Sequence, residues 1–178
     1  MKKQDTRELL LDSAFQTFYK QGFQGANIAT ILTDVGINKG SMYHFFKSKK
    51  ELGLAVVKER IERNLIVKYS KILEEEQSFQ KLFDTLRSAP ETLPYGCPLN
   101  KFSQEMIYID AEFKTVLSYT YKVFESLVIQ ILEKENLTNK QQKAQLIIAT
   151  YEGALLVYHL NQNREQFKGI LFKLEKFL

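Results

Sequence analysis

The stretch from Asn27 to Leu52, NIATILTDVGINKGSMYHFFKSKKEL, admits few folds. Asn27 is placed to cap a short helix, and Ile28, Ile31, Leu32 and Val35 recur on one side of it before Gly36 stops it. Gly36-Ile37-Asn38 is then a turn. Asn38 can cap a second helix running from Lys39 to about Phe46, and Ser48-Lys49-Lys50-Glu51 has the form of a capping box opening a third. Two short helices joined by a three-residue turn containing glycine make the helix-turn-helix pattern, whose second helix enters the major groove of DNA.

The side chains of that second helix suit the same role. Lys39, Gly40 and Ser41 offer a cation, an uncluttered backbone and a small hydroxyl to phosphates and base edges. Tyr43 and His44 follow one turn later, Lys47 and Lys49 extend the basic surface, and Asn27 and Thr30 on the preceding helix complete the candidate DNA-binding set. A helical hairpin with a solvated lysine edge is the plainer alternative. Charge favours DNA: residues 1–68 hold twelve Lys or Arg against seven Asp or Glu, whereas the rest of the chain holds thirteen against fourteen. A basic segment on a near-neutral body is the electrostatic footprint of a DNA-binding head. Membrane attraction would also favour basic charge, but a motif with helix caps is not a polybasic tail.

The run VGINKGSMYHFFKSKKEL, with the leader TRELLLDSAFQTFYKQGFQGANIATIL, resembles the DNA-binding domain of the TetR family of bacterial transcriptional regulators from Thr6 to Leu52. At Asn27-Ile28 the family usually carries Thr or Ser, so a phosphate contact at that position is a weaker expectation. Beyond Leu52 the resemblance rests on length and an all-helical pattern. It implies a divergent C-terminal half that binds an effector, and dimerisation through the last two helices as a four-helix bundle.

A chain of 178 residues with 44% hydrophobic residues can build one sizeable core or two small ones, and has no apolar run of membrane-spanning length. The charged start, MKKQDTRELLLDSAF, is unlike a signal peptide, so a cytosolic protein with no membrane partner is expected. One cysteine and two distant histidines argue against a disulfide framework or a metal site, and no cofactor is expected. Asp5-Thr6-Arg7-Glu8 forms a capping box for a first helix ending at Gly22. Phe15, Phe18, Phe23, Ile31, Leu32, Ile37, Met42 and Phe46 are the expected core of a three-helix head. A helix from Ser48 to about Glu75 would span roughly 40 Å and connect the head to the remainder. After a helix carrying Phe79 to Leu86, residues 89–96 read as a loop. Helices at about 98–107, 111–135, 138–161 and 163–178 follow, with Asp110, Thr138 to Gln141 and Asn163 to Gln166 as starts.

Gly153, Leu156, His159 and Leu160, with Phe167, Ile170, Leu171 and Leu174, give more apolar surface than the end of one chain readily hides. They are the expected dimer interface; internal core is the alternative. No Gly-x-Ser-x-Gly elbow, phosphate-binding glycine loop or His-Glu-x-x-His pair is present, so catalytic residues are not expected. In Tyr95-Gly96-Cys97-Pro98, proline at the first helical position makes Cys97 an N-cap. There the helix dipole, with Lys101 one turn on, would favour its thiolate. Gly96-Cys97 followed by Lys101, Gln104 and Glu105 also resembles a branch of the family in which this cysteine senses electrophiles or oxidants. Burial as a small apolar residue is the alternative. The resemblance further implies an effector pocket among Leu65, Tyr69, Phe83, Phe102, Met106, Phe113, Tyr121 and Tyr151, although an aromatic stripe is usually core.

The expectation is an all-α protein of about nine helices, with a helix-turn-helix head (1–48) and a ligand-binding and dimerisation domain (49–178). By resemblance it is a homodimeric repressor that leaves a palindromic double-stranded DNA operator when a small-molecule effector binds or Cys97 is modified. The alternatives are a structural DNA-binding protein with no effector, and a helical module without DNA function.

Overall fold

Side-chain caps open most of the helices. The structure, a computed structural model, describes residues 3–178, and no strand occurs among them. Its helices are α1 (Lys3–Gln21), α2 (Ile28–Val35), α3 (Lys39–Tyr43), α4, α5 (Ser78–Arg87), α6 (Ala89–Thr92), α7 (Pro98–Met106), α8 (Ala111–Lys134), α9 (Lys140–Asn161) and α10 (Arg164–Phe177). Helix α4 runs as α-helix Lys49–Val56, π-helix Val57–Glu62 and α-helix Arg63–Glu74.

Asn27 Oδ1 accepts the Ala29 amide at 2.9 Å, Asn38 Oδ1 that of Ser41 at 2.8 Å, and Ser48 Oγ that of Glu51 at 3.0 Å. Asp110 and Asn163 open α8 and α10 in the same way. Three local expectations need correction. Helix α1 already includes Lys3, so Asp5 to Glu8 lies inside it rather than at its cap. Helix α9 begins at Lys140 behind Asn139, which is left-handed (φ 53) and makes no side-chain cap, so the Thr138 box does not form. Residues 89–92 close one turn of helix, α6, inside the segment expected to be a loop, because Pro90 sits where a helical first turn needs no amide donor. That turn raises the helix count among the described residues from nine to ten.

The chain divides into two units: Met1–Arg63 with Lys101–Thr120, and Asn64–Asn100 with Tyr121–Leu178. In the first, Leu10, Leu11, Ala14 and Phe18 of α1 pack with Ile31, Leu32, Met42, Phe46, Leu52 and Val56, all buried, while Phe15 and Ile37 are only half-buried. Each fully buried side chain of this kind contributes about 1.5–3 kcal/mol. The π segment answers a conflict in spacing. In an unbroken α-helix Ile61 would lie about 180° around from Leu52, yet both are buried in this unit. A wider turn with i→i+5 bonds takes up an extra residue and brings Val57 and Ile61 back toward the packed side. Three ion pairs tie the segment to α1: the Arg7 guanidinium donates two bonds to Glu59, and Arg60 bonds Asp12 at 2.6 Å and Glu8 at 2.8 Å.

In the second unit, α9 and α10 form a hairpin around left-handed Gln162 (φ 55). Phe83, Phe124, Ile131, Ile148, Tyr151, Phe167 and Leu171 are among its buried residues. Arg87 is buried with them, paired to Asp84 at 2.7 Å and Glu175 at 2.6 Å, with its guanidinium 4.3 Å from the Phe172 ring centroid.

Candidate nucleic-acid interface and buried thiol

Helix α3 is mounted by its apolar side and presents its polar side. Met42 and Phe46 are buried, while Lys39, Gly40, Tyr43, His44 and Lys47 are exposed and Ser41 is half-buried. The Asn38 carboxamide oxygen accepts both the Ser41 amide and, at 3.1 Å, its hydroxyl, which fixes the first turn. A Cβ at Gly40 would stand 3.3 Å from that oxygen, so a side chain here would press on the cap. The Lys39 ammonium lies 5.9 Å from the Tyr43 ring centroid, which keeps the two polar ends together. Asn27 and Thr30 are exposed on α2.

Lys49 stands apart from this set. Its ammonium donates to the carbonyls of Gln24 (3.2 Å) and Ala26 (2.6 Å) and sits 4.9 Å from the Phe23 ring centroid. Burial pulls its pKa down, partly opposed by the charge of Glu105. It braces the α1–α2 connection through these two carbonyls.

The residues expected around an effector divide between the two units. Phe102, Met106 and Phe113 belong to the first unit, where Phe102 and Phe113 join Phe18 and Phe23 in an aromatic cluster with ring centroids 4.9–6.4 Å apart. They are core there. Leu65, Tyr69, Phe83, Cys97, Tyr121 and Tyr151 belong to the second unit; Tyr69, Phe83 and Tyr151 are buried, Leu65 is half-buried and Tyr121 is exposed. Open clefts of that unit lie at Glu75–Lys81 and Asp84, and around Arg87, Lys168 and Phe172, on other residues.

Cys97 does precede α7, and its sulfur receives the amides of Leu99 and Asn100, as an N-cap should. The expected favoured thiolate is nevertheless reversed. Burial pushes the thiol well above its ordinary range, and the Glu152 carboxylate facing it adds to the rise; the two amides act in the opposite sense without prevailing. Lys101, expected to help, points its ammonium to the carbonyls of Tyr19 (2.6 Å) and Lys20 (3.4 Å). Glu152 is itself pushed up by burial, opposed by hydrogen bonds from Cys97 and from Asn100 Nδ2 at 2.9 Å. Lys68, pulled down by burial, lies within electrostatic reach of the thiol. Sequence reasoning passed over Glu152, although a signal existed: it is the one charged side chain in the run from Ala144 to Asn163.

The expected dimer residues divide. Phe167, Leu171 and Leu174 are buried within the unit, and Ile170 is half-buried. Gly153, Leu156 and Leu160 are exposed on α9 in line with Leu146, Ala149 and Val157, a continuous apolar stripe. His159 is half-buried; its Nε2 is enclosed and has no hydrogen-bond partner among the described residues. Among the described residues no cluster of His, Cys, Asp or Glu could hold a metal ion, and no helix is long and apolar enough to cross a membrane.

Known proteins resemble this chain in the head and along its length. The model of the bacterial regulatory proteins of the tetR family matches residues 10–56. An uncharacterized HTH-type transcriptional regulator in the lacX 3′ region of Lactococcus lactis subsp. lactis is 30% identical over 89% of this chain and 86% of its own. The HTH-type transcriptional repressor NemR of Escherichia coli K12 is 28% identical over 94% and 90%. Among solved structures, the reduced form of E. coli NemR aligns with a TM-score of 0.81 at 24% identity over 97% of this chain and 96% of that one. A TetR regulator from Chloroflexus aurantiacus aligns with a TM-score of 0.88 at 21% identity over 98% and 94%, a likeness of fold. These relatives are transcriptional regulators and not enzymes, and with the helix-turn-helix mounted as described, the chain belongs to the TetR family of bacterial regulatory proteins.

Proposed function

We propose that the protein is a homodimeric, cytoplasmic transcriptional repressor in which residues 1–48 read DNA and residues 49–178 bind the effector and dimerise; residues 1–2 of that head lie outside the described part. The observation that carries this is the mounting of α3: Met42, and Phe46 just past its end, are buried in the head while Lys39 and Tyr43 stand together in solvent and His44 and Lys47 beyond the helix are exposed. In the major groove Lys39, Gly40 and Ser41 would meet base edges, with Tyr43, His44, Lys47, Asn27 and Thr30 on phosphates. The exposed stripe Leu146, Gly153, Leu156 and Leu160 supports a two-fold dimer, and two-fold symmetry calls for a palindromic operator. The 28% identity to a protein designated a repressor supports the sign of regulation.

Release would follow from a small-molecule effector or from modification of Cys97. The π segment of α4 supports a pivot in that helix, since such turns are tolerated where a helix must yield. A coupling of about 1–3 kcal/mol between effector and operator weakens DNA binding roughly 5- to 150-fold. The alternative of a DNA-binding member without an effector is favoured by the buried Tyr69, Phe83 and Tyr151 and by the raised thiol.

Selection of bound fragments from a random DNA pool tests the proposal. Enrichment of one inverted repeat by the wild type, lost in Lys39→Ala/Tyr43→Ala, is expected. Binding without enrichment that simply fades with salt would leave the effector-free reading in its place.

A further inference from the structure

The first turn of α4 stands at a corner of the reading surface. Lys47, exposed, follows α3, and Ser48 then caps α4. In that turn Lys49 reaches the carbonyls of Gln24 and Ala26, immediately before Asn27, the cap of α2. The turn therefore joins the end of α3 to the start of α2, the two places where the head would meet phosphates. Lys50 is the next residue in it.

The Lys50 ammonium is held by two carboxylates of the same unit, Asp110 at 2.7 Å and Glu112 at 3.1 Å. Asp110 is fixed in place for this. Its Oδ1 accepts the amides of Glu112, at 2.9 Å, and Phe113, at 3.1 Å, and so caps α8, which leaves Oδ2 for the lysine. Phe113 is fully buried against Phe23 and anchors that cap to the head. Lys50 holds the Asp110 carboxyl below its usual range, and the ammonium is raised in return by Asp110 first and Glu112 second. One cation between two carboxylates leaves a net negative charge beside Lys47 and Lys49. Charges act over a Debye length of about 8–10 Å in ordinary salt, so a phosphate approaching this turn meets the two carboxylates as well as the lysines. The hold on Lys50 is nevertheless weak, because its side chain and that of Glu112 are 42% and 61% exposed.

We propose that Asp110 and Glu112 hold Lys50 away from the DNA backbone and thereby set how tightly, and with what salt dependence, the head binds its operator. This rests on the DNA-binding reading above. It gives an affinity-setting role to side chains at the start of α8, outside the helix-turn-helix.

Fluorescence anisotropy with the fragment enriched by the wild type, titrated between about 50 and 200 mM salt, tests it. Asp110→Asn/Glu112→Gln removes both charges and keeps the cap, since Asn caps as well as Asp. It should bind roughly tenfold more tightly at the low-salt end, a few-fold for each of two heads. Its salt slope should be steeper by about one for each head, the mark of a new phosphate contact. Lys50→Met alone should change wild-type binding by less than about twofold, and adding it to the double variant should cancel both gains. Glu112→Gln alone, which leaves the cap untouched, should show part of the gain and serves if the double variant does not fold by circular dichroism. A gain that survives Lys50→Met comes from the field of the carboxylates and not from a released lysine, and the proposal is overturned. It is equally overturned if neutralising the carboxylates leaves affinity and slope unchanged. Severalfold weakening by Lys50→Met in the wild type would put Lys50 on a phosphate already and overturn it too. A wild type that binds no duplex removes the DNA-binding reading itself, which is seen before any variant is made.

Discussion

Replacing Gly53 by alanine should destabilise the protein although it improves the helix. Gly53 is buried in the first turns of α4. In an open helix the added methyl would gain about 1 kcal/mol of propensity. Here a Cβ would stand 2.4 Å from Phe23 Cε2 and 2.8 Å from Phe113 Cζ. Carbon atoms in contact sit at about 3.5–4.0 Å, so each ring must retreat by roughly an ångström. Neither has space: the two centroids are already 4.9 Å apart, Phe23 also meets Phe18 at 5.1 Å, and Phe113 is fully buried. Overpacking of this kind costs about 1–3 kcal/mol. The net expectation is a loss of up to about 2 kcal/mol, or a Tm lower by up to roughly 8 °C for a protein of this size. Differential scanning calorimetry of wild type and Gly53→Ala measures it, with Gly169→Ala as the control, since nothing lies within 4 Å of a Cβ there. If Gly53→Ala melts at or above the wild-type temperature, the aromatic cluster is not packed as described and the reasoning fails.

Gly153→Ala separates the protomer from the dimer: no atom lies within 4 Å of a Cβ in the protomer, so its stability should hold or rise by up to about 1 kcal/mol. Dimer affinity by sedimentation should fall at least about tenfold if the α9 stripe is the seam, and unchanged affinity would remove that seam. Glu152→Gln takes away the carboxylate that raises the Cys97 thiol. The pH profile of alkylation should therefore move to lower pH, and a profile that stays or moves up contradicts the assigned pairing. Glu152 also titrates above its unfolded value. Its contribution to stability is therefore present below the ordinary carboxylate range and lost as pH rises through the folded value. Urea titrations should find Glu152→Gln gaining on the wild type at neutral pH and losing that gain near pH 4.

The helix-turn-helix was legible because its determinants are local. Asn27, Asn38, Ser48 and Asp110 each satisfy an amide within three residues, and Gly36 supplies the left-handed end of α2, so short-range chemistry suffices to place them. Where a cap depended on competing context, as at Asp5 and Thr138, the same reasoning misplaced it. The site was legible only in part. The exposed polar side of α3 follows from periodicity, but nothing near Lys49 or Lys101 in the sequence announces that their ammonium groups belong to carbonyls of residues 19–26.

The sequence by itself determined the all-helical class, the reading helix and its polar face, because helical periodicity and capping act over a few residues. Only the tertiary structure decided that Phe102, Met106 and Phe113 are core beside Phe23, that α4 needs a π turn to bury both Leu52 and Ile61, and that Cys97 is a reluctant thiol. Each of those depends on which distant side chain shares a desolvated space with it. The thiol of Cys97 is raised first by burial and then by Glu152, more than fifty residues further along the chain, and no local pattern encodes that meeting.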